Sequence, residues 1–385
     1  MRIGIDYTSA AHQGAGIGRL TRNVVRALAE VDQENEYTLL VQGRRLPYPP
    51  GTPHPRNTAS GIPNANFREV RTWIDEHWWN RIWHRARLPI DVEWLVGQVD
   101  LFHSPDFTLP PMRSGTKSIV TIHDLSFLRL PHCFERALLE YLTSNVPRAV
   151  QRADWVLADS ENTRQDVIEL LGVAEERVTV LYPGVEPRFR SIDDAQLLSS
   201  IQEKYVLPPR FILSLGTIQP RKNYAGLIRA FARLSMDDLS LVIVGGRGWL
   251  YEDIFSQVQA LGLEGRVFFP GFVDDADLPA VYNLAEAFAL PSLYEGFGIP
   301  PLEAMACGTP VVVADNSSLP EVVGDAGLLV DVHDTESLAE ALACLVQDTA
   351  LRQTLVERGL VQARRFTWPG AARTLLETYR LVGET

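Results

Sequence analysis

The chain has 385 residues, 46% hydrophobic and 22% charged, which is enough for two ordinary domains with real cores and excludes a disordered, low-complexity chain. A formal net charge of −12 argues against general nucleic-acid binding, which needs a basic surface, but leaves room for a local basic site. Cys133, Cys307 and Cys344 lie apart with no CxxC pair, which gives neither a zinc framework nor a disulfide scaffold and fits a reducing cytoplasm.

The opening "MRIGIDYTSA" has no basic segment ahead of a long apolar core, so no secretory signal is read there. No apolar run approaches the roughly 20 residues that span a bilayer. "RIGID" reads as a first strand, and "TSAAHQGAGIGRLTRN" follows it. The latter resembles a dinucleotide fingerprint, but Gly14, Gly16 and Gly18 are followed by Arg19 where the last glycine of G-x-G-x-x-G belongs. The NAD reading thereby loses its main support. What remains is a glycine loop opening a helix, in which Gly16 and Gly18 let backbone approach a phosphate or a transferred group.

"YTLLV" is the next strand. Residues 46–115 then break the pattern. They are rich in proline and contain "WIDEHWWNRIWHRARLP", with Trp73, Trp78, Trp79, Trp83 and Trp94 in or just after it. A basic aromatic helix of this kind suits peripheral contact with an anionic membrane face. A core helix or the wall of an acceptor groove is the plainer reading.

"SIVTIHD", "WVLADS" and "VTVLYPG" resume the strands, and the first of them delivers His123 and Asp124 to a strand's carboxyl end. A lone histidine is more often structural, but this position makes His123 a site candidate. Proline and charge at 186–210 mark a seam. Beyond it "FILSLGT", "LSLVIVGG", "RVFFPG", "AFALPS", "PVVVAD" and "GLLVDV" alternate with helical patterns such as "NYAGLIRAFARL" and "DTESLAEALACLVQD". Strands alternating with helices in both halves predict two doubly wound parallel sheets. Two such domains facing each other would put the carboxyl ends of both sheets on one interdomain cleft, where ligands of these folds bind.

In the second half, Arg221 and Lys222 sit at the turn after "FILSLGT". Lysine is rare in this chain (only Lys117, Lys204 and Lys222), and adjacent cations at a strand's end suit two phosphates. A solvated charged turn is the plain alternative. "VDDADLPA" contains Asp275-Ala-Asp277, which could pass for a metal-binding D-x-D. Because it precedes a helical segment, it reads as helix capping, and no metal is expected.

The densest signal is "PSLYEGFGIPPLEAMACG". A strand end delivers Glu295. Gly296 and Gly298 permit a tight turn with close ligand approach, so that backbone from Gly296 through Phe297, Gly298 and Ile299 lies against a ligand. Pro300 or Pro301 suits the first helical turn, and N–H groups at 298–301 form an anion site for phosphate. Glu303, one turn in, suits hydrogen bonds from adjacent ribose hydroxyls, which leaves Glu295 near the ligand's other end.

With these residues assembled, the chain resembles the retaining glycosyltransferases of family 4, the "group 1" set built from two facing Rossmann-like domains (the B-type glycosyltransferase fold), and within it a mannosyltransferase-like branch. The resemblance covers nearly the whole chain and is strongest over "GTIQPRKNYAGLIRAF", "FPGFVDDADLPAVYNLAEAFALPSLYEGFGIPPLEAMACGTPVVVADNSSLPEVVGDAGLLVD" and "FTWPGAARTLLETYR". It implies an acceptor-side domain over 1–190, a donor-binding domain over 208–367, and a terminal helix at 368–385 that packs back on the first. Glu303 then corresponds to the ribose-binding carboxylate, Glu295 to the one near the transferred sugar, Lys222 to a phosphate-binding lysine and His123 to a cleft residue near the reacting sugar. Gly16 and Gly18 fall in the loop that closes on donor and acceptor. Thr217 stands where many members carry arginine, and Arg221 is expected to supply that charge.

The implied reaction moves a hexose, mannose from GDP-mannose by the branch resembled, to a hydroxyl of a glycan or lipid-linked acceptor in the cytoplasm, without metal or other cofactor. UDP-glucose is the next donor considered. A sugar-nucleotide epimerase would need further acid/base groups and no acceptor site, and an inactive binding module would keep the nucleotide contacts without turnover.

Overall fold

The computed structural model describes residues 1–14, 16–43, 62 and 64–384. The chain divides into two compact units, one of residues 1–125, 140–184 and 368–385, the other of 126–139 and 185–367. Each builds its own parallel sheet.

The first sheet contains β1 (Arg2–Asp6), β2 (Glu36–Val41), β3 (Phe67–Arg71), β4 (Leu101–Ser104), β5 (Lys117–Ile122), β6 (Trp155–Ala158) and β7 (Val178–Val180), in the order β3-β2-β1-β4-β5-β6-β7. The second contains β8 (Phe211–Leu215), β9 (Ser240–Val244), β10 (Val267–Gly271), β11 (Ala287–Leu290), β12 (Val311–Ala314) and β13 (Gly327–Val330), in the order β10-β9-β8-β11-β12-β13. All pairings are parallel. Strands buried on both faces explain the unbroken apolar runs in the sequence.

β3 and β4 were not legible as strands. "FREVR" alternates charge with apolar residues, and "LFHS" is four residues with no β-branched member. In both sheets the strand order reverses beside the first strand, between β1 and β4 and between β8 and β11. Loops leave those neighbours in opposite directions, which opens a crevice at their carboxyl ends.

The terminal helix Trp368–Glu384 packs on the helix Ile17–Val31 within the first unit, and Leu375 and Tyr379 join its core. The Tyr379 hydroxyl lies 2.8 Å from His103 Nδ1. The tryptophan-rich stretch divides. Trp79 and Trp83 stack at 4.3 Å in a core with Val92, Val96 and Phe102, whereas Trp73, Trp78 and Trp94 are exposed. The proline-rich part at 46–61 and 63 lies outside the described residues. No helix among the described residues is long and apolar enough to cross a membrane.

Two glycines let the loops after β8 and β9 approach each other. Gly216 and Gly245 both adopt φ +149°, and a Cβ on Gly245 would stand 2.1 Å from the Gly216 carbonyl oxygen. Gly245→Ala is therefore expected to cost about 1–3 kcal/mol through backbone displacement. Chemical unfolding checks this: a wild-type midpoint and slope in the variant would contradict the close approach.

Candidate functional site

In the second unit, the loops after β8 and β11 bring Arg221, Lys222 and Glu295 together at the β8/β11 crevice. A 3-10 turn at Pro220–Lys222, started by a proline, aims both cations the same way. Lys222 Nζ lies 2.6 Å from Glu295 Oε1, and Arg221 Nη1 lies 3.1 Å from Oε2. Arg221 also donates to the Tyr294 carbonyl at 2.6 Å, and the Ser292 hydroxyl donates to Glu295 Oε1 at 2.5 Å. Glu295 is only 6% exposed and Lys222 8%. Burial pushes the Glu295 carboxyl up, but the charges of Lys222 and Arg221 outweigh it and hold the carboxyl down to about 2. Two cations against one carboxylate leave the cluster with a net positive charge in a largely water-free place.

Residues 316–318 clamp the glutamate's loop. The Glu295 amide donates to Ser317 Oγ at 2.9 Å, and Ser318 Oγ donates to the carbonyls of Glu295 and Phe297 at 2.9 and 2.7 Å. Asn316 donates to the Ser292 carbonyl at 3.1 Å. This Asn-Ser-Ser lies one residue beyond the end of β12. Its position at a strand's carboxyl end was the only sequence signal for it.

The other candidate positions of this unit fall around the same turn. Gly298 caps the helix Ile299–Ala306 at φ +105°, where a Cβ would meet Leu319 at 2.7 Å. Pro300 and Pro301 have no N–H, so the expected donor row at 298–301 shrinks to Gly298 and Ile299, with Leu302 next. Gly296 and Phe297 are buried, and the Phe297 ring sits in the core against Phe366, so any group it offers a ligand is backbone. Thr217 is exposed, before the cation turn. Glu303 is 1% exposed and accepts from the Tyr282 hydroxyl at 3.0 Å. It is thus anchored to the neighbouring helix Leu278–Leu284.

Asp277 stands at the amino end of that helix but makes no side-chain cap. Its carboxylate instead binds Lys204 at 2.6 Å and the Tyr205 hydroxyl at 2.7 Å. This corrects the capping reading: a lysine within reach outcompetes the helix's own N–H groups. Asp275 accepts from Arg188 through its carbonyl. Among the described residues no cluster of histidine, cysteine and carboxylate could hold a metal ion.

In the first unit, His123 follows β5 and is buried. Its Nδ1 lies 2.7 Å from Asp159 Oδ2 and its Nε2 lies 2.9 Å from the Pro105 carbonyl oxygen. A carbonyl only accepts, so Nε2 carries a proton, and against an ionised Asp159 Nδ1 carries one too, which makes the ring an imidazolium. Burial opposes this charge, but the Asp159 carboxylate outweighs burial and lifts His123 to about 9. Asp159, next to last in the "WVLADS" run, went unread for want of a partner to pair with it. Gly16 caps the helix Ile17–Val31 at φ +59° with open space around it. Gly18 is a packing residue, since a Cβ there would fall 2.5 Å from the Ser9 carbonyl oxygen.

The family model described as Glycosyl transferases group 1 matches residues 200–361, and that for Glycosyltransferase Family 4 matches residues 14–189. O-antigen chain mannosyltransferase B of Escherichia coli is 32% identical over 285 residues, which is 73% of this chain and 74% of that protein.

The chain belongs to the group 1, family 4 glycosyltransferases.

This glycosyltransferase is also 29% identical to the serotype-specific mannosyltransferase WbdA of Escherichia coli over 94% of its own length, but spans only 46% of that longer protein. Among solved structures, sucrose-phosphate synthase from Thermosynechococcus elongatus superposes with a TM-score of 0.74 at 20% identity, over 99% of both chains. That likeness establishes the B-type fold of two parallel-sheet α/β domains. The enzyme is a hexosyltransferase, not an epimerase.

Glu295→Gln leaves two cations side by side in a buried place, which is expected to cost about 3–5 kcal/mol. The carboxyl's ordinary value is 4.5 and its folded value about 2. Because the folded value is the lower one, its stabilisation is complete above pH 4.5 and fades as pH falls toward 2. Unfolding free energies at pH 7 and pH 3.5 check this: wild type should lose a component that Glu295→Gln lacks at both. Equal acid sensitivity in the two proteins would mean the carboxylate is not held ionised by its neighbours.

Proposed function

We propose that this hexosyltransferase moves mannose from GDP-mannose, with retention at the anomeric carbon, to a hydroxyl of a glycan or lipid-linked acceptor. The observation carrying the reaction type is the buried, net-positive cluster of Lys222, Arg221 and Glu295 at the β8/β11 crevice. Mannose is favoured over glucose from UDP-glucose because both relatives described above are mannosyltransferases.

When the bond from the anomeric carbon to the phosphate oxygen breaks, its electron pair stays on the diphosphate and the sugar becomes cationic. Lys222, Arg221 and the N–H groups of Gly298 and Ile299 stabilise the new negative charge as it develops. Preorganised groups of this kind commonly carry the largest share of catalysis. The Glu295 carboxylate, set between the cations, opposes the positive charge on the sugar side. The acceptor oxygen then attacks on the face the diphosphate left, and its proton passes to the departing phosphate oxygen. Cations supplied by the chain make a metal unnecessary on this reading.

Glu303 is assigned the donor ribose, with Tyr282 holding its carboxylate in place. His123, an imidazolium with both N–H groups engaged, is a poor base and acts by fixing the Pro105 carbonyl. Trp73, Trp78 and Trp94, with Arg81 5.0 Å from the Trp78 ring and Arg113 6.0 Å from that of Trp94, support peripheral contact with an anionic bilayer on the cytoplasmic side.

Product analysis with GDP-mannose and UDP-glucose tests the donor assignment: transfer of mannose as the α-anomer is expected, and exclusive use of UDP-glucose would overturn it. Lys222→Ala should lower kcat at least about 100-fold, and Lys222→Arg should not restore it, because a planar fork cannot fill an ammonium's place beside Glu295. Wild-type turnover in Lys222→Ala would make this turn a surface feature. Transfer should persist in excess EDTA; loss of activity that magnesium or manganese restores would contradict a metal-free mechanism. Glu303→Gln should weaken GDP binding more than it lowers Tm. The reverse would make Glu303 only the anchor for Tyr282.

A further inference from the structure

His123 is held from two sides by partners that are not alike. It follows β5, while Asp159 follows β6 and Pro105 follows β4, so neighbouring strand ends meet at one imidazole ring. Nδ1 lies 2.7 Å from Asp159 Oδ2, and Nε2 donates to the Pro105 carbonyl at 2.9 Å. Pro105 has no N–H, and among the described residues His123 is the donor its carbonyl meets. Asp159 is 5% exposed, and its carboxylate pairs there with His123.

The segment that Pro105 leads into is strained. Phe107 takes φ +38°, an uncommon conformation for a bulky residue, and its ring meets the His123 ring edge-on at 5.4 Å. The Phe107 amide donates to the Thr121 carbonyl on β5 at 3.2 Å. Such conformations persist only where surrounding contacts over-determine them, and they collect at functional sites.

The surroundings make His123 the charged ring of a buried pair. Burial, aided by the His123 charge, pushes His103 on β4 down to about 3, so it is neutral between the Tyr379 and Thr121 hydroxyls. Burial also lowers His123, but Asp159 and then Asp106 outweigh it and lift the ring to about 9. Burial raises the Asp159 carboxyl, Asp124 adds to this, and the imidazolium opposite pulls it back. The helices Ile17–Val31 and Trp368–Glu384 bring no charged group to the small pocket beside the ring, and Tyr182 is the further titratable group lining it.

Loss of one proton then has a determined outcome. A neutral imidazole keeps a single N–H. A carboxylate is a stronger acceptor than a neutral carbonyl, so the remaining proton stays on Nδ1, against Asp159. Nε2 turns a lone pair on the Pro105 carbonyl oxygen, and the strained segment loses its hold. An amide at position 159 reverses this. Its NH2 group donates to Nδ1, the neutral ring keeps its proton on Nε2, and the carbonyl stays bound.

We propose that Asp159 is a positioning residue for glycosyl transfer: acting through His123, it makes the hold on the Pro105–Phe107 backbone depend on the ring's second proton, and so sets the alkaline limit of the reaction. This rests on the reading of the chain as a transferase given above. Because the folded value of His123 is raised, the hold is nearly complete below about pH 8 and is lost as pH rises through about 9.

The experiment follows donor kcat/KM against pH for the full chain, with GDP-mannose or UDP-glucose as donor and octyl α-mannoside as acceptor. Wild type should fall about tenfold between pH 8 and pH 10, the span of one proton lost near 9. Asp159→Asn should blunt this decline, so that the ratio of variant to wild-type kcat/KM rises at least about fivefold over that range. A variant that was only destabilised would lose more at high pH, not less. Imidazole 15N spectra of wild type, with His123 assigned from His123→Gln, decide the matter even where Asp159→Asn does not fold. At pH 10 they should show Nδ1 protonated and Nε2 bare. A ratio that stays flat or falls, or a ring that keeps its proton on Nε2 at pH 10, would overturn the proposal. Inactivity of wild type with both donors, beside spectra with Nδ1 protonated, would instead overturn the function proposed above and leave the Asp159 latch standing.

Discussion

Lys222, Arg221 and Glu295 meet at the carboxyl ends of β8 and β11 with distances of 2.6 and 3.1 Å, and much of the second unit serves to hold them there. Placing three charges in a largely dry crevice is costly unless each is paired and hydrogen-bonded. The chain meets that condition with Ser292 on the carboxylate, the Tyr294 carbonyl on Arg221, and Ser317 and Ser318 on the loop backbone. The glycine at 216 leaves room for the lysine, since a Cβ there would stand 3.0 Å from Lys222 Cε. The carboxylate is needed because two adjacent buried cations would otherwise repel. On the proposed mechanism, the excess cation offsets the negative charge that a departing diphosphate gains.

The two sheets share a strand order but carry opposite electrostatics at their reversals. The crevice beside β8 is cationic, and that beside β1 is lined by Asp6, Glu76 and Asp106. Burial, foremost, raises Asp6 and Asp106 to about 6, so these carboxyls begin to take up protons just below neutral pH and can then donate as well as accept hydrogen bonds.

Reading the sequence for strands and for charged residues at their carboxyl ends found most of this. Parallel strands buried on both faces are long apolar runs, so eleven of the thirteen in the two sheets were visible, and Arg221, Lys222 and Glu295 followed from where those runs stop. What sequence could not give was direction and partnership. Glu303 lies one helical turn from a glycine bend whether it faces solvent or Tyr282, and only packing against the helix Leu278–Leu284 decides between them. Asp277 looked like a cap because the lysine that captures it lies 73 residues earlier in the chain. Asp159 and Ser317 were unremarkable until His123 and Glu295 were beside them. β3 and β4 escaped because short or charge-alternating strands carry little periodic signal. With β4 went Ser104 and Asp106, which line a polar pocket at the carboxyl ends of β1 and β4.

If the cluster exists to hold a diphosphate, its contribution must follow the phosphates and not the base or ribose. Calorimetric affinities of GDP and of guanosine for wild type and for Lys222→Met separate the two. The account predicts that Lys222→Met loses at least about tenfold in GDP affinity, the scale of one charge-assisted hydrogen bond, while guanosine affinity stays within about twofold. Equal losses for both ligands, or none for GDP, would contradict the claim that this buried cation stabilises the leaving diphosphate.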